Sequence, residues 1–239
     1  MEFVERIKRN GSYAPLENIN YPQTKPAPVL KSLLDRGFTR AILEKWNIVW
    51  DTVVGAMCLP IYDATGTLQG KIWRFPVGIE PKYRYQTGFH RSETLYGLWK
   101  LPTKLQILVL VEGPLDAIWV REAGLPALAI LGSSMSEIQA QIIYRLHSPK
   151  VVLCFDNDDA GHKADHQAVR QLRQGGCWVY RAKLPVGKKD IQEVPCEKVV
   201  SLLNHAELCV NSKGMIHPKY RRWYPEYSKM NSSNSIWRS

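Results

Sequence analysis

No Cys-x-x-Cys pair occurs anywhere in the 239 residues; the five cysteines stand apart at 58, 154, 177, 196 and 209. An odd number at such spacings excludes a disulfide framework and a zinc ribbon or finger, so no structural zinc is expected. His205 with Cys209 is the one metal-like spacing, and it reads as an accident of a surface helix. Cys154 lies inside an apolar run and reads as a small core residue. No apolar run approaches the roughly 20 residues that a membrane span needs. The N-terminal MEFVERIKRNG has no apolar core of a signal peptide. These absences exclude a membrane partner and predict a soluble, cytoplasmic chain. No internal repeat is visible.

What is present is an apolar fraction of 45%, enough to fill a core, in a length that suits one large domain or two small ones. Lys and Arg number 32 against 22 acids, a net charge of +10. That excess favours an anionic partner, of which nucleic acid is the commonest.

Along the chain, residues 1–28 are polar and broken by prolines, and read as an extended arm. Two short helices are expected next, Val29 to Asp35 stopped by Gly37, and one capped by Thr39 running to about Trp46. MCLPIYD and LQGKIWRF flank the turn-forming ATGT, a hairpin signal. Residues 76–102 read as loops rich in basic and aromatic side chains. From Leu105 the rhythm changes. ILVLV, ALAILG, VVLCFD and CWVYRAKLP are strands, the first three continuous apolar runs of the kind buried on both faces. Helices separate them, over 114–123, from a Ser136/Gln139 capping box to about His147, and over 159–174 before Gly175-Gly176. Alternating strands and helices imply a parallel sheet with helices on both faces, preceded by a smaller mixed α+β subdomain. The expected divisions are an arm at 1–28, a basic N-terminal subdomain at 29–103, an α/β domain at 104–200, and a short helix with a basic, aromatic tail at 201–239.

In such a sheet, ligands bind beyond the carboxyl ends of the strands. Glu112 ends the first strand, Asp156 ends the third with Asp158 two residues on, and Asp190 follows the fourth. If the first and third strands are neighbours, Glu112, Asp156 and Asp158 converge. Clustered carboxylates repel, so the cluster calls for a cation, and oxygen ligands without His or Cys favour Mg²⁺ or Mn²⁺. Acidic caps and turns compete with this reading, and Asp159 is assigned to a helix start. An EF-hand is excluded because its fifth and twelfth positions would be Ala160 and Gln167.

VEGPLDA, with Glu112, Gly113 and Asp116, resembles the first motif of the TOPRIM domain, and FDNDDAGHKA, with Asp156, Asp158 and Gly161, resembles the second. LGSS at 131–134 is similar to the loop between them, and GKKDIQEV carries a further acid, Asp190. Upstream, LPIYDATGTLQGKIWRF and PKYRYQTGFHRSETLYGLWK resemble the N-terminal half of the RNA-polymerase core of DnaG-type primases, with its PKY and LYG motifs in order. The resemblance covers about residues 35–200. It departs from the family in having no zinc-binding module and no room for a helicase motor. It is therefore the minimal phage-type core that is resembled.

The resemblance implies metal-dependent synthesis of short RNA primers on single-stranded DNA, in phage or plasmid replication. It implies Asp156 and Asp158 as metal ligands, Glu112 as a third ligand or a base, and Asp190 as holder of a second ion. Asp116, one helical turn past Glu112, orients that region or merely caps and solvates its helix. NTPs are the expected substrates. A separate replicative helicase and a zinc-binding primase subunit are the expected partners. Lys71, Arg74, Lys82, Arg84 and Arg91, interleaved with aromatics, suit phosphates and unpaired bases, and Lys82 falls on the PKY motif. Strand aromatics are usually core, and Trp73 and Phe75 share a parity that argues for burial. Lys163 lies near the acids and matches the family's motif, whereas His162 reads equally as a surface residue. A TOPRIM nuclease and a non-catalytic nucleic-acid-binding module are the alternatives, while the length is short for a topoisomerase gate.

Overall fold

The computed structural model describes residues 28–76 and 78–209. The expected arm, but for Pro28, and the basic tail lie outside the described residues. Helix α1 is Pro28–Asp35 and α2 is Arg40–Lys45, where Thr39 Oγ1 accepts the Ile42 N–H at 3.2 Å as the N-cap. Four strands then form an antiparallel sheet in sequence order: β1 Val49–Asp51, β2 Ala56–Tyr62, β3 Leu68–Arg74 and β4 Tyr83–Tyr85. The β2–β3 turn is held by Asp63, whose Oδ1 accepts from the N–H groups of Thr65 and Thr67 at 2.8 and 3.0 Å.

Strand β4 falls in a segment expected to be all loop. It pairs with β3 through Trp73↔Arg84 and Ile72↔Tyr85, and 3₁₀ turns follow at Arg91–Glu93 and Leu98–Lys100. Its alternation of aromatic and basic residues fits an edge strand with one face on the sheet and one in water.

The second sheet has the order β6-β5-β7-β8-β9. Its members are β5 Leu108–Val111, β6 Ala127–Ala129, β7 Val151–Leu153, β8 Val179–Arg181 and β9 Glu207–Leu208. The first four are parallel, and β9 returns antiparallel to β8. Helices α3 Pro114–Glu122 and α6 Cys196–Asn204 pack on one face, and α4 Glu137–Arg145 and α5 Asp159–Gln174 on the other. Strands β5, β6 and β7 are buried along their whole length, as their unbroken apolar runs require. The capping box is present, with Ser136 Oγ accepting the Gln139 N–H and Gln139 Oε1 accepting the Ser136 N–H.

The two sheets share one core. Phe38, Trp46, Ile61 and Ile72 of the N-terminal part join Val109, Ile118 and Trp119 of the α/β part in a continuous apolar cluster. Phe38 packs against Trp119 with ring centroids 5.2 Å apart, and Trp46 stacks on Tyr96 at 5.8 Å. A bridge between Tyr96 and Ala129 ties the connecting segment to the edge of the second sheet. Burying large aromatics from both parts holds one part against the other. Among the described residues no helix is long and apolar enough to cross a membrane.

Candidate active site

Strands β5 and β7 are neighbours, with Leu110 opposite Leu153 and the Cys154 N–H donating to Leu110 O at 2.9 Å. That register sets the two strand ends side by side. Glu112 and Asp156 therefore meet, and Glu112 Oε1 accepts the Asp156 N–H at 3.1 Å. Burial raises the Glu112 pKa to about 7, with further upward pressure from Asp156 and Asp158. Burial likewise raises Asp156 to about 6, helped by Asp190 and Asp158, while Lys189 and Lys82 pull it down.

Asp158 is exposed and is the N-cap of α5, its Oδ1 accepting the Gly161 N–H at 2.9 Å. Asp159 is the first residue of the helix, so the capping role belongs to Asp158 itself. The cap occupies one oxygen of Asp158. Gly161 sits tightly over the acids: a Cβ there would collide with the Asp156 carbonyl and stand 2.9 Å from Glu112 Oε1. Gly113 is constrained in the same way, since a Cβ would lie 2.6 Å from Asp116 Oδ2.

Asp116 is 7% exposed. Burial lifts its pKa to about 7, opposed by the hydrogen bond from Gln192 and reinforced by Asp190 and Asp156. Asp190 opens the 3₁₀ turn Ile191–Glu193, and its Oδ1 is buried with no hydrogen-bond partner. The four segments are bound together: Asn157 N–H donates to Lys189 O at 2.8 Å, and Gln192 Nε2 donates to Asp116 Oδ1 at 2.6 Å. Neither Lys189 nor Gln192 was among the expected site residues. Each stands next to or near an expected acid, but its partner is remote in sequence.

An unpartnered buried carboxylate oxygen and a set of mutually repelling acids fit a hard divalent cation. Among the described residues no three His, Cys, Asp or Glu side chains close around a common point.

The basic residues divide. Lys71, Lys82, Arg84, Arg91 and Lys163 are exposed, as is His162. Lys82 has a partly desolvated ammonium, which lowers its pKa together with Arg74, while Asp116 and Asp190 act in the opposite direction. The Arg84 guanidinium lies 4.3 Å from the ring centre of Phe75, and Arg91 lies 5.3 Å from that of Tyr85. Arg74 is 6% exposed, with Nη1 donating to Tyr83 Oη at 2.6 Å. Phe75 is buried as its parity implied, and Trp73 is half-buried, its indole N–H donating to Asp51 at 2.9 Å.

Leu131 joins the two parts. Its carbonyl accepts from Tyr85 Oη at 2.8 Å and Arg91 Nη1 at 3.4 Å, and its N–H donates to Glu112 O at 3.0 Å. Its φ of 60° is unusual for a leucine and is held by these bonds and by complete burial.

Residues 109–194 match the Toprim-like family, and the parallel sheet with acids at its carboxyl edge is that of a TOPRIM domain. The chain is also similar to the DNA primase of Deinococcus radiodurans, 34% identical over 165 residues that cover 66% of this chain and 29% of the primase. The chain thus spans less than a third of that relative's length. The RNA polymerase domain of Mycobacterium tuberculosis primase DnaG has the same fold, with a TM-score of 0.69 at 17% identity, over 89% of this chain and 93% of that one. A DnaG primase catalytic domain bound to ssDNA matches with a TM-score of 0.62 at 21% identity, over 77% of this chain and 74% of that one. Both of its sheets thus have the fold of DnaG-type primase catalytic cores.

Proposed function

We propose that this chain is a DNA-directed RNA polymerase of the primase type, which makes short RNA primers on single-stranded DNA in phage or plasmid replication. The observation that carries the reading is Lys82, on the PKY motif, lying within electrostatic reach of Asp116, Asp156 and Asp190. A cation that binds phosphate thereby faces the acids that would hold metal. In this reading residues 29–103 hold the template and residues 104–200 carry the chemistry.

The reaction joins a primer 3′-oxygen to the α-phosphorus of an NTP and releases pyrophosphate. Asp156, the free oxygen of Asp158 and Asp190 are assigned to Mg²⁺ or Mn²⁺. When bound, the ion neutralises charge developing on the phosphate oxygens. Glu112 keeps Oε2 free, because Oε1 is engaged by the Asp156 N–H, and that oxygen serves the ion or takes the hydroxyl proton. A pKa near 7 suits the second role at neutral pH. Lys82, Arg84, Arg91 and Lys71 are assigned to template phosphates, Tyr85 and Phe89 offer stacked rings, and Lys163, exposed in α5, is assigned to the triphosphate. A separate helicase and a zinc-binding subunit would supply unwinding and start-site choice.

The test is incubation with single-stranded templates, NTPs and Mg²⁺, with Asp156→Asn in parallel. Short ribonucleotide products from the wild type alone support the reading. Metal-dependent cutting of a labelled strand without NTPs, and no RNA products on any template with or without a zinc-module chain, overturn it in favour of a nuclease.

A further inference from the structure

The acid-bearing loop after β8 is fastened to the rest of the cluster by one side-chain pair. Gln192 Nε2 donates to Asp116 Oδ1 at 2.6 Å, joining residues 76 apart in the sequence. The other ties are made by backbone groups: Asn157 N–H to Lys189 O, and Val194 O accepting the Trp119 indole N–H at 2.9 Å. Those two anchor the ends of the loop. Among the described residues, Gln192 is the side chain that hydrogen-bonds the middle of the loop to the carboxyl group of Asp116.

The amide has only one useful orientation. Arg36 Nη1 lies 3.4 Å from Gln192 Oε1, and a guanidinium can only donate. The amide oxygen therefore faces Arg36, and its NH₂ faces Asp116. With Oδ1 held by Gln192, Asp116 Oδ2 is turned over Gly113, where a Cβ would stand 2.6 Å away. This glycine leaves the space that the held carboxyl group needs. Asp190, whose buried Oδ1 has no hydrogen-bond partner among the described residues, lies two residues before Gln192.

We propose that Gln192 is a positioning residue of the acid cluster: its amide, set by Arg36, orients Asp116 and holds the Asp190 loop on α3, so that the carboxylates are pre-arranged for a divalent cation. The proposal rests on the metal-binding reading above. Removing Gln192 leaves Asp116 buried without its donor and removes this tie to the loop, which Ile191 and Val194 still anchor in the core, while every acid is retained.

The experiment titrates Mn²⁺ into the full chain by electron paramagnetic resonance, for wild type, Gln192→Ala, Arg36→Ala and Asp156→Asn, with circular dichroism on each. Gln192→Ala is expected to bind Mn²⁺ about tenfold more weakly, as loss of a group that orients metal ligands typically does. Arg36→Ala should shift in the same direction by less. In primer synthesis the Mg²⁺ requirement of Gln192→Ala should rise by a similar factor, with turnover restored at excess Mg²⁺. A folded Gln192→Ala with wild-type Mn²⁺ affinity overturns the proposal while Asp156→Asn still loses binding. If Gln192→Ala does not fold, unchanged affinity in Arg36→Ala overturns it. Wild-type affinity in Asp156→Asn overturns the metal reading, and this proposal with it.

Discussion

The backbone N–H of Asp156 donates to the side chain of Glu112 at 3.1 Å, so one acid of the candidate site is held in place by the main chain of another. The bond uses one oxygen, Oε1. Glu112→Gln keeps an acceptor for that N–H and should fold normally. It removes the charge and the proton acceptor, so primer synthesis should fall by about a hundredfold or more. Rate measurements at saturating NTP and Mg²⁺, with thermal melting alongside, check both halves.

Asp116 gives the stability of the metal-free chain a definite pH dependence. Its folded pKa, about 7, lies above the usual carboxylate value, so the folded state holds a proton that the unfolded chain releases. Stability is therefore greatest at low pH with respect to this group and is lost as pH rises from about 4 to about 7. In chelator, Asp116→Asn should remove that loss, narrowing the difference between pH 5.5 and pH 8 by on the order of 1–2 kcal/mol relative to wild type. Melting curves at the two pH values test this. An equal pH slope in both proteins would count against it.

Gly161→Ala should be damaging although alanine is the better helix former. The added methyl meets the Asp156 carbonyl and Glu112 Oε1, both fixed groups. Relief requires the start of α5 to move off the acids, which costs roughly 1–3 kcal/mol. The expected result is a lower melting temperature together with loss of primer synthesis.

Lys82→Ala and Arg84→Ala should weaken single-stranded DNA binding at many sequences alike. Each should also reduce the dependence of log affinity on log salt by about one ion. Arg74→Ala should behave differently: it leaves Tyr83 Oη without its buried donor and should cost stability of about 1–3 kcal/mol instead. Binding isotherms over a salt series, with melting of each variant, separate the two outcomes.

Much of the architecture was legible in local pattern. The unbroken apolar runs marked β5, β6 and β7, and the Ser136/Gln139 pair marked the start of α4. Strand β4 was not legible. Three residues of alternating aromatic and basic type carry too little periodicity, and the strand exists because β3 offers it a hydrogen-bonding edge. The burial of Arg74 was not legible either, since its contact with Tyr83 depends on the pairing of β3 with β4. The Asp158/Asp159 assignment turned on one residue of helix start, which depends on which side chain reaches the Gly161 N–H.

By itself, the sequence determined the alternation of strands β5 to β8 with helices, the residue types at the strand ends, and the excess of positive charge, because those follow from local periodicity and composition. Only the tertiary structure decided that β5 and β7 are neighbours, that Glu112 and Asp156 touch, that Gln192 reaches Asp116, and that Lys82 comes within electrostatic reach of the acids. Those contacts join residues tens of positions apart, and burial among them moves three carboxyl pKa values toward neutrality. Desolvation and mutual repulsion depend on distance in space, which spacing along the chain does not encode.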